Sequence, residues 1–91
     1  MPTAPYSLFL VDDDRFLLDM YAVKFKAAGH SVTAFAGGDE LLKALREGAT
    51  PNAILLDIVM PGMTGFEVLE AIKREGLKKE AKLIVLSNQG Q

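Results

Sequence analysis

None of the 91 residues is cysteine, which removes disulfides, thiolate metal sites and cysteine nucleophiles from consideration and fits a reducing compartment. Positive charge is not in excess either: 10 lysines and arginines stand against 12 aspartates and glutamates, a net charge of −2. A sequence-independent nucleic-acid binder needs a basic surface, so nucleic acid is set aside as a partner. No basic segment opens the chain and no long apolar run follows, so neither a signal peptide nor a membrane span is expected. The cytoplasm is then the default location. Repeats, low-complexity tracts and linkers are also missing, which leaves a single domain over residues 1–91, small for an α/β architecture. Hydrophobic residues make up 49% of the chain, enough for a core and too many for a disordered segment.

What is present centres on Ala53-Ile-Leu-Leu-Asp57-Ile-Val-Met-Pro61-Gly-Met-Thr-Gly65. A short apolar run bounded by turn residues is the pattern of a strand buried on both faces, as in parallel sheets. Ligands of open α/β sheets bind outside the carboxyl ends of the strands, which is where Asp57 falls. A second run, Ser7-Leu-Phe-Leu-Val11, leads straight into Asp12-Asp13-Asp14. If the two strands are neighbours, their terminal carboxylates converge and repel, favouring protonation of one member. A hard divalent cation relieves that repulsion, and all-oxygen ligands suit magnesium.

Taken in order, residues 7–11 form strand one, and Asp13 or Asp14 caps a helix over roughly 14–28 that ends at Gly29. That helix carries two apolar stripes, one of Leu17, Tyr21, Phe25 and Ala28, the other of Phe16, Met20, Val23 and Ala27. One stripe suffices to lie on a sheet; the second requires another neighbour. Residues 31–35 alternate enough for an edge strand, Asp39 starts a helix to about Glu47, and strand three is 53–57. Thr64 and Glu67 form a capping box for a third helix to about Glu75. Phe66, Leu69 and Ile72 are expected to face inward there, with Glu70 and Arg74 paired at i, i+4. Strand four is Leu83 to Leu86, closing at Ser87. His30 reads as a surface residue without a role. Right-handed crossovers make this βαβαβαβ order a doubly wound parallel sheet, and strand order 2-1-3-4 puts Asp12, Asp13 and Asp57 at one crevice.

The acidic pair Asp12 and Asp13, the Asp57-to-Gly65 segment and Ser87 after strand four, in this order and spacing, resemble the receiver domain of two-component response regulators. The resemblance runs from residue 7 to residue 90. It implies a flavodoxin-like, three-layer parallel sheet and a domain that takes a phosphoryl group from a histidine kinase or phosphotransfer protein onto Asp57, as an acceptor rather than a turnover enzyme. It also implies Mg2+ held by Asp13 and Asp57, by Asp12 through water and by the Val59 carbonyl, with Ser87 as the switch hydroxyl that holds the phosphoryl group. The family pattern continues with a helix, a strand bearing a lysine at its end, and a last helix, none of which these 91 residues contain. The chain therefore reads as a receiver truncated after strand four, with impaired activity. Lys82 begins strand four at the opposite end of the sheet and does not replace that lysine.

Two other readings compete. A haloacid-dehalogenase-type phosphatase also follows its first strand with Asp-x-Asp, here Asp12 and Asp14, but Phe16 departs from that pattern and Asp57 is left without a role. A receiver fragment that no longer accepts phosphate could instead serve as an assembly module. Strand four is apolar on both faces and helix one has its spare stripe, so the sequence also predicts a homodimer through strand four, helix one or both.

Overall fold

Three five-residue runs, Ser-Leu-Phe-Leu-Val, Ala-Ile-Leu-Leu-Asp and Lys-Leu-Ile-Val-Leu, are too short and too evenly apolar for surface helices, and each becomes a strand. The computed structural model describes residues 5–57 and 64–86. Within them the order is β1 (Ser7–Val11), α1 (Arg15–Ala27), β2 (Ser31–Phe35), α2 (Gly38–Arg46), β3 (Ala53–Asp57), α3 (Gly65–Glu75) and β4 (Lys82–Leu86). The strands are parallel and lie in the order β2-β1-β3-β4, the expected flavodoxin-like arrangement. Boundaries agree with the sequence reading to within a residue or so. Pro61 and Gly62, expected to shape the turn after β3, lie outside the described residues, as do Val59 and Ser87.

The main core lies between the sheet and α2/α3. Phe9 and Val11 of β1 and Ile54 and Leu56 of β3 meet Leu41, Leu42 and Leu45 of α2 and Val68 and Ile72 of α3. The Phe9 and Phe35 rings meet edge to face at 5.0 Å, the favoured geometry for aromatic pairs. Alternation sends Leu8 and Leu10, also buried, to the other face of the sheet. α1 packs against β2 and β1. β4 is an edge: Leu83 reaches the core, whereas Ile84 and Val85 stay exposed.

Helix ends follow their caps. Thr64 Oγ1 accepts from the Glu67 N–H and the Glu67 carboxylate accepts from the Thr64 N–H, completing the capping box at the start of α3. α3 stops at Gly76, whose φ of 65° is left-handed. Across the helices, Arg46 of α2 grips the Glu75 carboxylate with two hydrogen bonds of 2.8 and 2.6 Å. At the amino end of the sheet, Asn52 acts as a clamp. Its Oδ1 accepts from the Ser7 N–H at 2.7 Å, its N–H donates to the Ser7 carbonyl at 2.8 Å, and its carbonyl accepts from the Lys82 N–H at 2.9 Å. That one residue fixes where β1, β3 and β4 begin relative to one another.

Four expectations are corrected. Phe66 points outward at 65% exposure, because the inward face of α3 is Val68, Ala71 and Ile72. The residue by which α1 anchors to the sheet is Leu18, 2% exposed, while Leu17, Tyr21 and Phe25 flank it half-buried and Ala28 is exposed. Arg74 lies 3.9 Å from Glu75 and makes no bridge to Glu70. His30 does have a role: its Nδ1 accepts from the Tyr6 N–H at 3.2 Å and its ring stands 5.3 Å from that of Tyr6, holding the lead-in to β1 against the end of α1.

Leu18→Ala is expected to cost about 2–5 kcal/mol of stability, and Phe66→Ala to stay within about 0.5 kcal/mol; urea unfolding midpoints check both. The Arg46 guanidinium, by its hydrogen bonds, holds the Glu75 carboxyl below the usual glutamate value. A depressed carboxylate pKa stabilises above its unfolded value and ceases to as pH falls through its folded value. The stability gap between wild type and Arg46→Ala is thus expected to be full at neutral pH and to close in the acid range below about pH 4, as read from unfolding curves at each pH. Both partners are solvent-exposed, so the gap is small.

Candidate metal centre

The crevice follows from the sheet register. Val11 of β1 is level with Leu56 of β3, so the next residue on each strand, Asp12 and Asp57, arrives at the same edge. Both are buried, at 8% and 7% exposure. The Asp12 N–H donates to the Phe35 carbonyl at 3.2 Å, which carries the β1–β2 ladder one residue past the strand and holds the Asp12 backbone in place.

The three consecutive acids then divide their roles. Asp14 is the N-cap of α1: its Oδ1 accepts from the N–H groups of Phe16 at 3.0 Å and Leu17 at 3.2 Å. Asp12 Oδ1 accepts from the Asp14 N–H at 2.9 Å, a tight turn that aims the chain into the helix. Asp13, exposed, joins Asp12 and Asp57, and carboxylate oxygens of the three lie within 4.8 Å of one another. Burial, followed by the charges of Asp57, Asp13 and Asp14, raises the Asp12 carboxyl above its ordinary value, against the lowering effect of the Asp14 N–H.

The donor set fits a hard divalent cation. It consists of oxygen alone, and ligands about 2.0–2.6 Å from a central ion stand up to roughly 4–5 Å apart across it, which the 4.8 Å span matches. A cation there also offsets the mutual repulsion that pushes Asp12 toward protonation. Among the expected site residues, Asp12, Asp13 and Asp57 are brought together; Val59 and Ser87 fall outside the described residues. Lys82 opens β4 at the opposite end of the sheet, as expected. The phosphatase reading, which needs Asp12 and Asp14 together at the reacting centre, meets an Asp14 committed to capping α1. Asn52, which sets the β1–β3 register behind the crevice, was missed; an asparagine just before an apolar run was its only signal.

A family model described as the response regulator receiver domain matches residues 8–91. The chain belongs to that family. The receiver is 40% identical over 68 residues to the transcriptional regulatory protein AfsQ1 of Streptomyces coelicolor, covering 75% of this chain and 30% of that protein. It is 31% identical over 75 residues to the DNA-binding response regulator MtrA of Mycobacterium tuberculosis, covering 82% and 32% respectively. The chain thus spans about a third of the length of these relatives. Among solved structures, the chemotaxis response regulator CheY4 of Vibrio cholerae superimposes with a TM-score of 0.83 at 28% identity, over 97% of this chain and 72% of that one. The response regulator TrrA of Thermotoga maritima, solved in complex with Mg2+–BeF, gives 0.77 at 31% identity, over 88% and 67%.

Asp13→Ala is expected to abolish Mn2+ or Mg2+ binding by the receiver, followed by electron paramagnetic resonance with Mn2+ and by Mg2+ competition. Asp14→Ala should leave binding in place and cost about 0.5–2 kcal/mol of stability through the lost cap. The reverse pattern would refute this division of the acids.

Proposed function

We propose that this receiver accepts a phosphoryl group on Asp57 from the phosphohistidine of a histidine kinase or phosphotransfer protein, or from a small acyl phosphate, in the cytoplasm. The observation that carries the reading is the meeting of buried Asp57 with Asp12 and Asp13 at the carboxyl ends of two adjacent core strands. Asp57 is the last residue of β3, so its backbone is held by the sheet while its carboxylate stands at the crevice. A nucleophile so fixed needs little reorganisation to reach an incoming phosphorus.

In the proposed step a carboxylate oxygen of Asp57 attacks phosphorus and an oxygen–phosphorus bond forms. The bond from phosphorus to the imidazole nitrogen, or to the acyl oxygen, breaks, and the leaving group departs with the electron pair; an imidazole then takes its proton from solvent. Asp12, Asp13 and Asp57 are the residues that would hold Mg2+, with the Val59 carbonyl as the further ligand implied by the family. Mg2+ bound there would neutralise the phosphoryl oxygens and align the displacement. The Asp12 and Asp13 carboxyl groups lie beside the acceptor, so a phosphoryl dianion approaching Asp57 meets an acidic crevice that a bound cation would offset. Ser87 would offer its hydroxyl to the transferred group.

Incubation with acetyl phosphate and Mg2+, followed by borohydride trapping and mass spectrometry, should place label on Asp57. Asp57→Asn should carry none. Label on Asp12 or Asp14 would overturn the assignment, and an unlabelled wild type would leave the non-phosphorylated assembly module as the better reading.

A further inference from the structure

The basic residues are sorted by end. The helices run back along a parallel sheet, so their last turns and the starts of the strands share its amino end. Six of the ten lysines and arginines lie in the last turns of α1, α2 and α3, and Lys78, Lys79 and Lys82 precede or open β4. Cations in last turns suit the helix dipole. Arg15 alone stands at the other end, as the first residue of α1. There the dipole opposes a positive charge, and the first turn of α1 holds no acid to offset it.

No contact within the domain compensates. Asp19, one turn on, makes no bridge to Arg15, and among the described residues the Arg15 guanidinium enters no ion pair. A residue that breaks a local rule without a local partner marks a place to look for function. Its position on the helix is informative. Arg15 precedes Leu18 by three residues, which at about 100° each sets it only about 60° from the side that anchors on the sheet. Cα–Cβ bonds lean toward the amino end of a helix, here toward the strand ends where the crevice opens. Asp12 and Asp13 of the carboxylate cluster are three and two residues before it, and the turn closed by the Asp14 N–H on Asp12 Oδ1 keeps them close.

We propose that Arg15 is the phosphoryl-recognition residue of the crevice, its guanidinium meeting the phosphoryl oxygens of the donor as they approach Asp57. A guanidinium offers a planar fork of N–H donors that takes two oxygens at once, a fit that an ammonium group lacks. The side chain is exposed and unclaimed by the neighbouring acids, so it is free for a ligand. It also supplies positive charge at the end of the sheet where three carboxyl groups oppose an anion. Its purpose rests on the reading of Asp57 as acceptor, but binding is measurable without transfer.

The probe is acetonylphosphonate, which keeps the charge of acetyl phosphate and cannot transfer its phosphorus. It is titrated with Mg2+ present into wild type, Arg15→Gln and Arg15→Lys and followed by 1H–15N NMR, with circular dichroism to confirm the fold. In wild type the Arg15 Nε–H and the Asp13 backbone amide should shift together and saturate. Arg15→Gln should weaken binding about tenfold, the scale of a lost charge-assisted hydrogen bond, and Arg15→Lys should recover part of it. The acetyl phosphate concentration that half-saturates Asp57 labelling should rise by the same factor in Arg15→Gln, with the maximal rate little changed. An Arg15→Gln that binds the phosphonate as wild type does overturns the proposal, as does a wild type that does not bind it. If the one change in Arg15→Gln is tighter Mn2+ binding, Arg15 is a counter-ion for the acids and the proposal also falls. Arg15-dependent phosphonate binding in a chain that takes no label on Asp57 would count against the acceptor and for Arg15.

Discussion

Everything at the crevice depends on one constraint: two adjacent buried strands end level, and each passes directly into a carboxylate. Charges dislike such a place, since burial removes the water that would solvate them and proximity adds repulsion. The raised Asp12 carboxyl is the visible consequence. The arrangement persists because the register is not free to slip. A shift by one residue would turn Phe9 and Val11, or Ile54 and Leu56, away from α2 and α3 and expose the core. At the far end, Asn52 ties the starts of β1, β3 and β4 together. Hydrophobic burial and an asparagine clamp thus hold carboxylates where electrostatics alone would not leave them. A site strained in this way favours whatever positive charge arrives.

The same constraint explains why three acids in a row are not redundant. A strand that must become a helix within three residues needs a turn and a cap, and Asp12 and Asp14 supply both through hydrogen bonds to backbone N–H groups. Asp12 takes part in the turn with one oxygen and still belongs to the acidic cluster; Asp14, outside that cluster, is devoted to the helix. Local structure and ligand capacity are therefore coupled in the same few residues. A substitution at Asp12 disturbs both, whereas Asp13 is the member whose removal reports on the cluster alone.

The strands and their order were legible because buried parallel strands write themselves as unbroken apolar runs, and β1 and β3 matched their expected limits residue for residue. The Thr64–Glu67 capping box was equally plain, since its chemistry is local. Facing was harder. α1 has apolar residues on nearly every side, so the sequence alone did not identify Leu18 as its anchor. Phe66, large and aromatic, looked like core, yet it lies about 100° round α3 from the buried Gly65, off the face that Val68 and Ile72 turn inward. His30 and Asn52 were misjudged or missed because their partners, Tyr6 and Ser7, lie 24 and 45 residues away. Polar contacts across such distances leave no periodic trace. At the site, the three carboxylates were readable from strand ends alone, but the commitment of Asp14 to the cap required the backbone geometry.

The two faces of α1 connect the crevice to the outer surface of the domain. Its cap, Asp14, belongs to the turn that places Asp12 and Asp13, and Phe16, two residues on, begins the exposed stripe. A helix of 13 residues is about 20 Å long, so the exposed stripe starts beside the crevice and runs away from it along the outer surface. One helix thus divides its apolar residues, its inner face given to the sheet through Leu18 and its outer face carrying Phe16, Met20 and Val23 at the surface.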